Sequence, residues 1–314
     1  MLAQATTVDP FRFEWHPEVW LLVAFLTGAY VYMVRVIGPS AVGVGRVVVS
    51  RTNVIAFAGA MVMLWAASDW PLHDIGERYL YSAHMLQHMM LSYFLPPLVL
   101  LATPEWLLRV LIGDGRLYSA VRWLAKPVVA GVLFSLSVMV THVPGVVNAS
   151  VSNGPLHYLL HLMVVTLSLL MWMPVVGPFR ELHMGTGAKM IYLFAQSVIP
   201  TVPAGWLTFA EGTVYDAYGD QPVRVFGLSV TDDQQFAGAI MKVGGSVFLW
   251  SIIVTLWFTR FAVSYRDEHD YRRGRMMPTA EITGHDDDPL TYDDVEREFA
   301  RMPAAAEPGR PPTP

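Results

Sequence analysis

Two short stretches of this chain carry the same histidine spacing. One reads His84-Met85-Leu86-Gln87-His88-Met89-Met90, the other His157-Tyr158-Leu159-Leu160-His161-Leu162-Met163, so both contain H-x-L-x-H-x-M. Residues four apart on a helix share a face, about 5–6 Å apart at Cβ. Two imidazoles so placed can reach one ion, the arrangement that H-E-x-x-H zinc helices use. Imidazole suits zinc and copper, and thioether sulfur favours Cu(I). Cysteine is absent. That excludes a disulfide framework, a thiolate nucleophile, an iron–sulfur cluster and any Cys-built zinc or copper site. A metal site in this chain must therefore be made from His, Met, Asp or Glu.

The elements that would hold these histidines are apolar. Of 314 residues, 54% are hydrophobic and 15% charged, against about 25% charged in an average soluble domain. Mean hydropathy is +0.40. This composition argues against a soluble enzyme. The net charge of −5 is unevenly placed. Residues 261–314 hold seven basic and twelve acidic groups, which accounts for all of it and leaves residues 1–260 neutral. A neutral body is not the basic domain of a nucleic-acid binder.

A spanning helix needs about 20 mostly apolar residues. Seven windows qualify: Val19–Ile37, Asn53–Trp70, Tyr79–Leu101, Pro127–Thr141, Leu156–Val176, Ala188–Phe209 and Phe236–Phe258. The fourth is short. No basic stretch precedes the first, so it is expected to be a permanent helix rather than a cleaved signal peptide. The expected fold is thus all-α, a polytopic membrane domain of seven spans over 1–260, lying in the lipid bilayer. Lys and Arg placement sets its orientation. Arg35, Arg46, Arg51, Arg109, Arg116, Arg122, Lys126, Arg180, Lys189 and Arg260 fall on one side, and only Arg12, Arg78 and Arg224 on the other. The N-terminus is expected outside and the C-terminus in the cytoplasm. Residues 261–314, rich in charge and ending PAAAEPGRPPTP, read as a disordered cytoplasmic tail. Its Arg266, Arg272, Arg273 and Arg275 read first as topology anchors.

With that topology the histidines form a layer. His84 and His88 lie in the outer half of the third span, His157 and His161 in the first turns of the fifth, His142 at the outer end of the fourth, and His73 in the preceding outer loop. Ionisable residues within spans are costly and tend to face the bundle interior. The layer reads as a metal or proton site of His84, His88, His142, His157 and His161, with His73 nearby and Met85 or Met89 assisting. Met139, Met163 and Met241 fall near the same depth. The simpler reading of the methionines is packing, and of a lone membrane histidine a helix–helix hydrogen bond. Gln87, Ser92, Thr141, Asn148, Tyr158 and Asp69 are candidates to hold the ligands' second nitrogens. His183 lies on the inner side and reads as structural, and nothing in the sequence positions His16.

Other features carry less. Pro96-Pro97 should kink the third span, with Ser92 able to satisfy a freed carbonyl, and Pro200 and Pro203 should kink the sixth. Asp232-Asp233 reads as a helix N-cap, or else as part of a cation entry. Lys242 is expected to snorkel outward. A retinal-type Schiff base at Lys242 would leave the histidine layer unexplained.

Taken together, the residues resemble a known family. Asp69-Trp70-Pro71-Leu72-His73, Gly76-Glu77 and Tyr81-Ser82-Ala83-His84-Met85-Leu86-Gln87-His88-Met89-Met90-Leu91 resemble the signature of the multi-spanning CtaG family. These are bacterial membrane proteins associated with assembly of haem–copper cytochrome c oxidase of the caa3 and aa3 types. The likeness continues through Pro96-Pro97, Thr103-Pro104, Lys126-Pro127, His142-Val143-Pro144-Gly145, His157 with His161, Trp172 with Pro174, Trp206-Leu207-Thr208-Phe209 and Asp233-Gln234-Gln235 to Met241. It covers roughly residues 18–260. Lys242 departs from the apolar or aromatic residue common at that place. The resemblance implies a non-catalytic assembly factor of the bacterial plasma membrane. By the same resemblance its partner would be the oxidase catalytic subunit, and it would help insert copper at the CuB centre. Different classes fit the same histidines: a seven-span intramembrane zinc hydrolase, a b-type haem protein, or a scaffold held by histidine hydrogen bonds. No sequence feature specifies an oligomeric state.

Overall fold

The structure, a computed structural model, describes residues 9–219 and 223–276, together with 296 and 300. Among the described residues the regular structure is all helical. The chain divides after Phe261 into two units. Six helices are long and apolar enough to cross a membrane, or seven if one bent pair counts as a span. The helices are α1 (Pro17–Val42), α2 (Arg51–Ser68), α3 (Leu72–Arg78), α4 (Tyr81–Ala102), α5 (Glu105–Ile112), α6 (Arg116–Leu124), α7 (Pro127–Thr141), α8 (Pro144–Ser152), α9 (Gly154–Val176), α10 (Thr186–Phe209) and α11 (Val230–His269). The helical backbone that begins at Gly245 within α11 continues beyond His269 to Met276, past the apolar part.

The bent pair is α6 and α7, at 74° to each other. The 15 residues of α7 make about 22 Å of helix, short of the ~30 Å hydrocarbon core. The expected fourth span therefore counts as one only if α6 and α7 are taken together across the break at Ala125 and Lys126, where Pro127 cannot continue the preceding helix.

Local sequence explains where the helices begin. Ser50 and Asn53 form a reciprocal capping box before α2, with Asn53 N donating to Ser50 Oγ at 3.2 Å and Ser50 N to Asn53 Oδ1 at 2.8 Å. Ser229 and Asp232 do the same for α11, which extends that helix six residues ahead of its apolar window. Asn153 accepts from Leu156 N at 3.0 Å and starts α9 beside Pro155. These caps supply acceptors for first-turn N–H groups that have no partner within their own helix.

Of the expected tail, residues 261–276 form the end of a helix. Apart from 296 and 300, the rest of it, including the proline-rich stretch, lies outside the described residues.

α4 is the centre of the bundle. Of its apolar window 61% is buried, against 6% for α1 and 17% for α11. Its first half packs on α3 and α11, its second half on α2 and α9. Two apolar clusters flank it. One joins Met89, Tyr93, Phe134, Met171, Trp172 and Leu249. The other joins Tyr81, Met85, Val147, Leu207, Tyr215, Tyr218 and Met241. α4 carries a π turn at Met90–Phe94, directly after the histidine motif. Pro96 has no N–H for the carbonyl of Ser92, and Trp172 Nε1 of α9 donates to that oxygen at 3.3 Å instead. Ser92 Oγ, expected to fill such a gap, donates to His88 O at 2.6 Å.

Lys242 does not snorkel outward. It sits in a second π turn, Ile240–Gly244. Its Nζ donates to Ser197 O at 3.1 Å and Thr201 Oγ1 at 2.6 Å. The lysine thus bridges the proline-broken turn of α10, where backbone carbonyls lose their helical donors.

Candidate metal centre

The site lies where α4 and α9 begin. His84 and His88 stand one turn apart on α4 with ring centroids 4.5 Å apart, and His157 and His161 do the same on α9 at 4.3 Å. Across the helix pair, His88 and His161 are 4.7 Å apart and His84 and His161 5.8 Å. His84, His88 and His161 each bring a ring nitrogen to within 4.8 Å of the others. The cavity between them is lined also by Thr141, Val147, Ser150, His157 and Tyr218. Its scale suits an ion rather than a porphyrin.

The hydrogen bonding around this cluster is incomplete. His84 Nδ1, His161 Nε2 and His157 Nε2 are buried and have no hydrogen-bond partner. Buried polar atoms in folded proteins are almost always paired, and each exception calls for an explanation. Convergent lone-pair nitrogens that can close on one cation supply such an explanation, so the residues fit a borderline or soft metal ion.

The six expected histidines divide into three settings. His84, His88 and His161 form the compact group. His157 borders it, 5.7 Å from the His84 ring, and its Nε2 lies 2.8 Å from Glu77 Oε1. That distance is an ion-pair distance, yet the ring is not aimed for a hydrogen bond, and both atoms remain unpartnered in that sense. His73 also faces Glu77, with Nε2 3.2 Å from Oε1, while its Nδ1 accepts from Gln87 Nε2 at 3.1 Å. Both nitrogens of His73 are thereby engaged. His142 stands apart from the group against Met85, its Nε2 3.4 Å from Sδ. Met89 is buried and packs beside Gly245.

Several residues that hold the site were not singled out from the sequence. Glu77 entered there only within the Gly76-Glu77 pair of the family resemblance, with no role given. Its signal is its place four residues after His73, on the same face of α3. Asp233 of α11 crosses to the start of α4. Its carboxylate accepts from Tyr81 N at 2.7 Å, from Ser82 N at 3.0 Å and from Ser82 Oγ. The capping of α11 expected of this acidic pair falls to Asp232 alone. Tyr215 Oη donates to His142 O and Tyr218 Oη to Gly76 O, each at 3.0 Å. Gly76 lets α3 press on α4. A Cβ there would lie 3.0 Å from His84 N and 3.1 Å from its Cα.

At the surface end, His16 is positioned after all. It stands 3.0 Å from both Asp74 and Glu18 and meets the His73 ring edge-on at 5.2 Å. Burial opposes its protonation, but the hydrogen bonds to Asp74 and Glu18 outweigh that and hold its pKa above the usual imidazole value. His183 Nε2 bonds to Gly177 O at 2.6 Å, far from the cluster in sequence and on the expected inner loop.

A bundle of apolar helices around a buried histidine group with unpartnered ring nitrogens defines a polytopic membrane protein with a polar cluster among its helices. Comparison with known families narrows this. The family described as "Cytochrome c oxidase caa3 assembly factor (Caa3_CtaG)" matches residues 28–262, and the chain belongs to it. No curated protein and no solved structure matches the chain. It is therefore a multi-pass membrane protein of the cytochrome c oxidase assembly factors.

Proposed function

We propose that this protein binds copper transiently at His84, His88 and His161, with His157 alongside, and hands it to the catalytic subunit of cytochrome c oxidase at its CuB centre. The observation that supports this best is the convergence of three ring nitrogens within 4.8 Å, two of the three rings carrying a buried nitrogen without a partner. Copper is cargo in this reading, and the protein's own role is non-catalytic. Imidazole ligands without thiolate suit a carrier that must release its ion. The Lys and Arg asymmetry supports a reading in which this end of the bundle faces the outer side of the bacterial plasma membrane. Cargo would then reach the site without crossing the hydrocarbon.

Replacing the chromosomal gene with a His84→Ala/His88→Ala/His161→Ala version tests the proposal. The expected result is an oxidase with reduced copper content and activity while the assembly factor itself is still inserted. A fully metallated, active oxidase would refute delivery.

One observation favours a second reading. Glu77 brings a half-buried carboxylate to His157 and His73, as a general base beside a hydrolytic zinc would require. Stoichiometric zinc in the protein as purified, with lipid-substrate hydrolysis lost in Glu77→Gln, would favour that reading over cargo delivery.

A further inference from the structure

His142 and Met85 face each other in a way that hydrogen bonding does not account for. Nε2 of His142 is 3.4 Å from Sδ of Met85, and Nδ1 is 2.6 Å from Val138 O. A backbone carbonyl only accepts, so the Nδ1 side of the ring must carry the proton. In the neutral imidazole that leaves Nε2 bare. The contact is then between two lone-pair atoms, with no hydrogen between them. Both side chains are buried, at 5% and 3% exposure. The ring is held in place, because Tyr215 Oη donates to the carbonyl of the same residue at 3.0 Å. The cavity beside the pair is lined by two further thioethers, Met89 and Met241, and by His88. His88 also lines the cavity of the tri-histidine group, so the two spaces meet at one ring.

We infer that His142 and Met85 form a second site, distinct from the tri-histidine group, that takes a soft monovalent cation of the Cu(I) class passed on through His88. The inference rests on the copper reading above and adds a destination within the protein. One nitrogen and one to three thioethers make a donor set that zinc does not favour and Cu(I) does. The transfer is ligand exchange alone. The bond to His84 or His161 breaks as the bond to Met85 forms, His88 stays attached during the step, and the oxidation state is unchanged. The alternative, an apolar pocket in which the methionines merely pack around a histidine, predicts no sulfur ligation at all.

The test uses the full-length protein in nanodiscs, titrated separately with Ag(I), the redox-inert analogue of Cu(I), and with Zn(II). X-ray absorption is recorded at each metal's edge. Silver should show a sulfur neighbour and zinc only nitrogen and oxygen. Met85→Leu, which conserves core volume, should lose one equivalent of silver while keeping its zinc stoichiometry, and the retained zinc reports an intact fold. His142→Gln should do the same. His84→Ala/His161→Ala should lose zinc and keep the silver–sulfur signal. Silver held by nitrogen alone, unchanged silver stoichiometry in Met85→Leu, or loss of the silver–sulfur signal in the double-alanine variant would each overturn the second site. Normal oxidase copper in a strain carrying the double-alanine variant would instead refute delivery, and leaves the silver–sulfur result standing.

Discussion

Asp233 belongs to α11, yet it starts α4. Three donors on Tyr81 and Ser82 end on its buried carboxylate, and His84 follows two residues later. Removing such a charged cap leaves first-turn N–H groups buried without a partner. Asp233→Ala is expected to destabilise the protein by about 2–3 kcal/mol, read by denaturant unfolding in detergent, and to weaken metal binding along with it. Asp233→Asn keeps one acceptor oxygen and should cost roughly half as much. Trp172 has a comparable task at the proline-broken turn. Trp172→Phe keeps most of the ring and loses the donor to Ser92 O, for a cost of about 1–2 kcal/mol in the same assay. A Trp172→Phe variant as stable as the wild type would show that the freed carbonyl finds another donor.

At the scale of elements, α3 is the short helix that brings Glu77 and His73 to the site, and Gly76 sets how near it comes. Gly76→Ala adds a methyl against the backbone of His84. The expected outcome is a folded protein whose α3 has shifted, with metal affinity reduced about tenfold or more, measured by titration. The segment before α1 is tied to α3 as well, through the paired hydrogen bonds of Arg78 to Glu14 at 2.6 and 2.8 Å. The Arg78 hydrogen bond holds the Glu14 carboxyl below its usual pKa of 4.5. A lowered folded-state pKa contributes stability above the unfolded pKa and loses it as pH falls through the folded one. Proteolysis ahead of Pro17 should therefore quicken below about pH 4.5, and Glu14→Gln should remove that pH dependence.

These elements also show what a single sequence carries. The spans and the two H-x-x-x-H faces were legible, because hydropathy and a four-residue repeat are local signals. The grouping was legible only in part. His142 lies at the same depth as the tri-histidine group, but α7 turns its ring toward Met85. Sequence gives depth along a helix and leaves rotation about the axis to packing. Asp233, Tyr215 and Tyr218 act on residues far away in the chain, and no periodicity marks such a cap. Lys242 was misread for the same reason, since the carbonyl it serves belongs to another helix.

For the whole molecule, the described residues that line the two histidine cavities lie between His84 and Met241, within the first of the two units. Deleting residues 277–314 should therefore leave copper stoichiometry unchanged in a titration of the truncated chain. A lost equivalent would mean that the acidic tail itself holds metal. The neutral body also sorts its polar groups: most of its Lys and Arg lie in loops and at helix ends, while His84, His142 and His157 are buried.

The unpartnered nitrogens of His84 and His161 bear on how such an ion would leave. Departure into water would strand dry lone pairs behind it, at a cost of about 1–3 kcal/mol for each. An incoming ligand that bonds before the old bond breaks avoids that state. Exchange should thus be associative, its rate climbing with the concentration of an acceptor chelator instead of levelling at a fixed dissociation rate. The site would then hold its cargo in the absence of a recipient and release it quickly on contact with one.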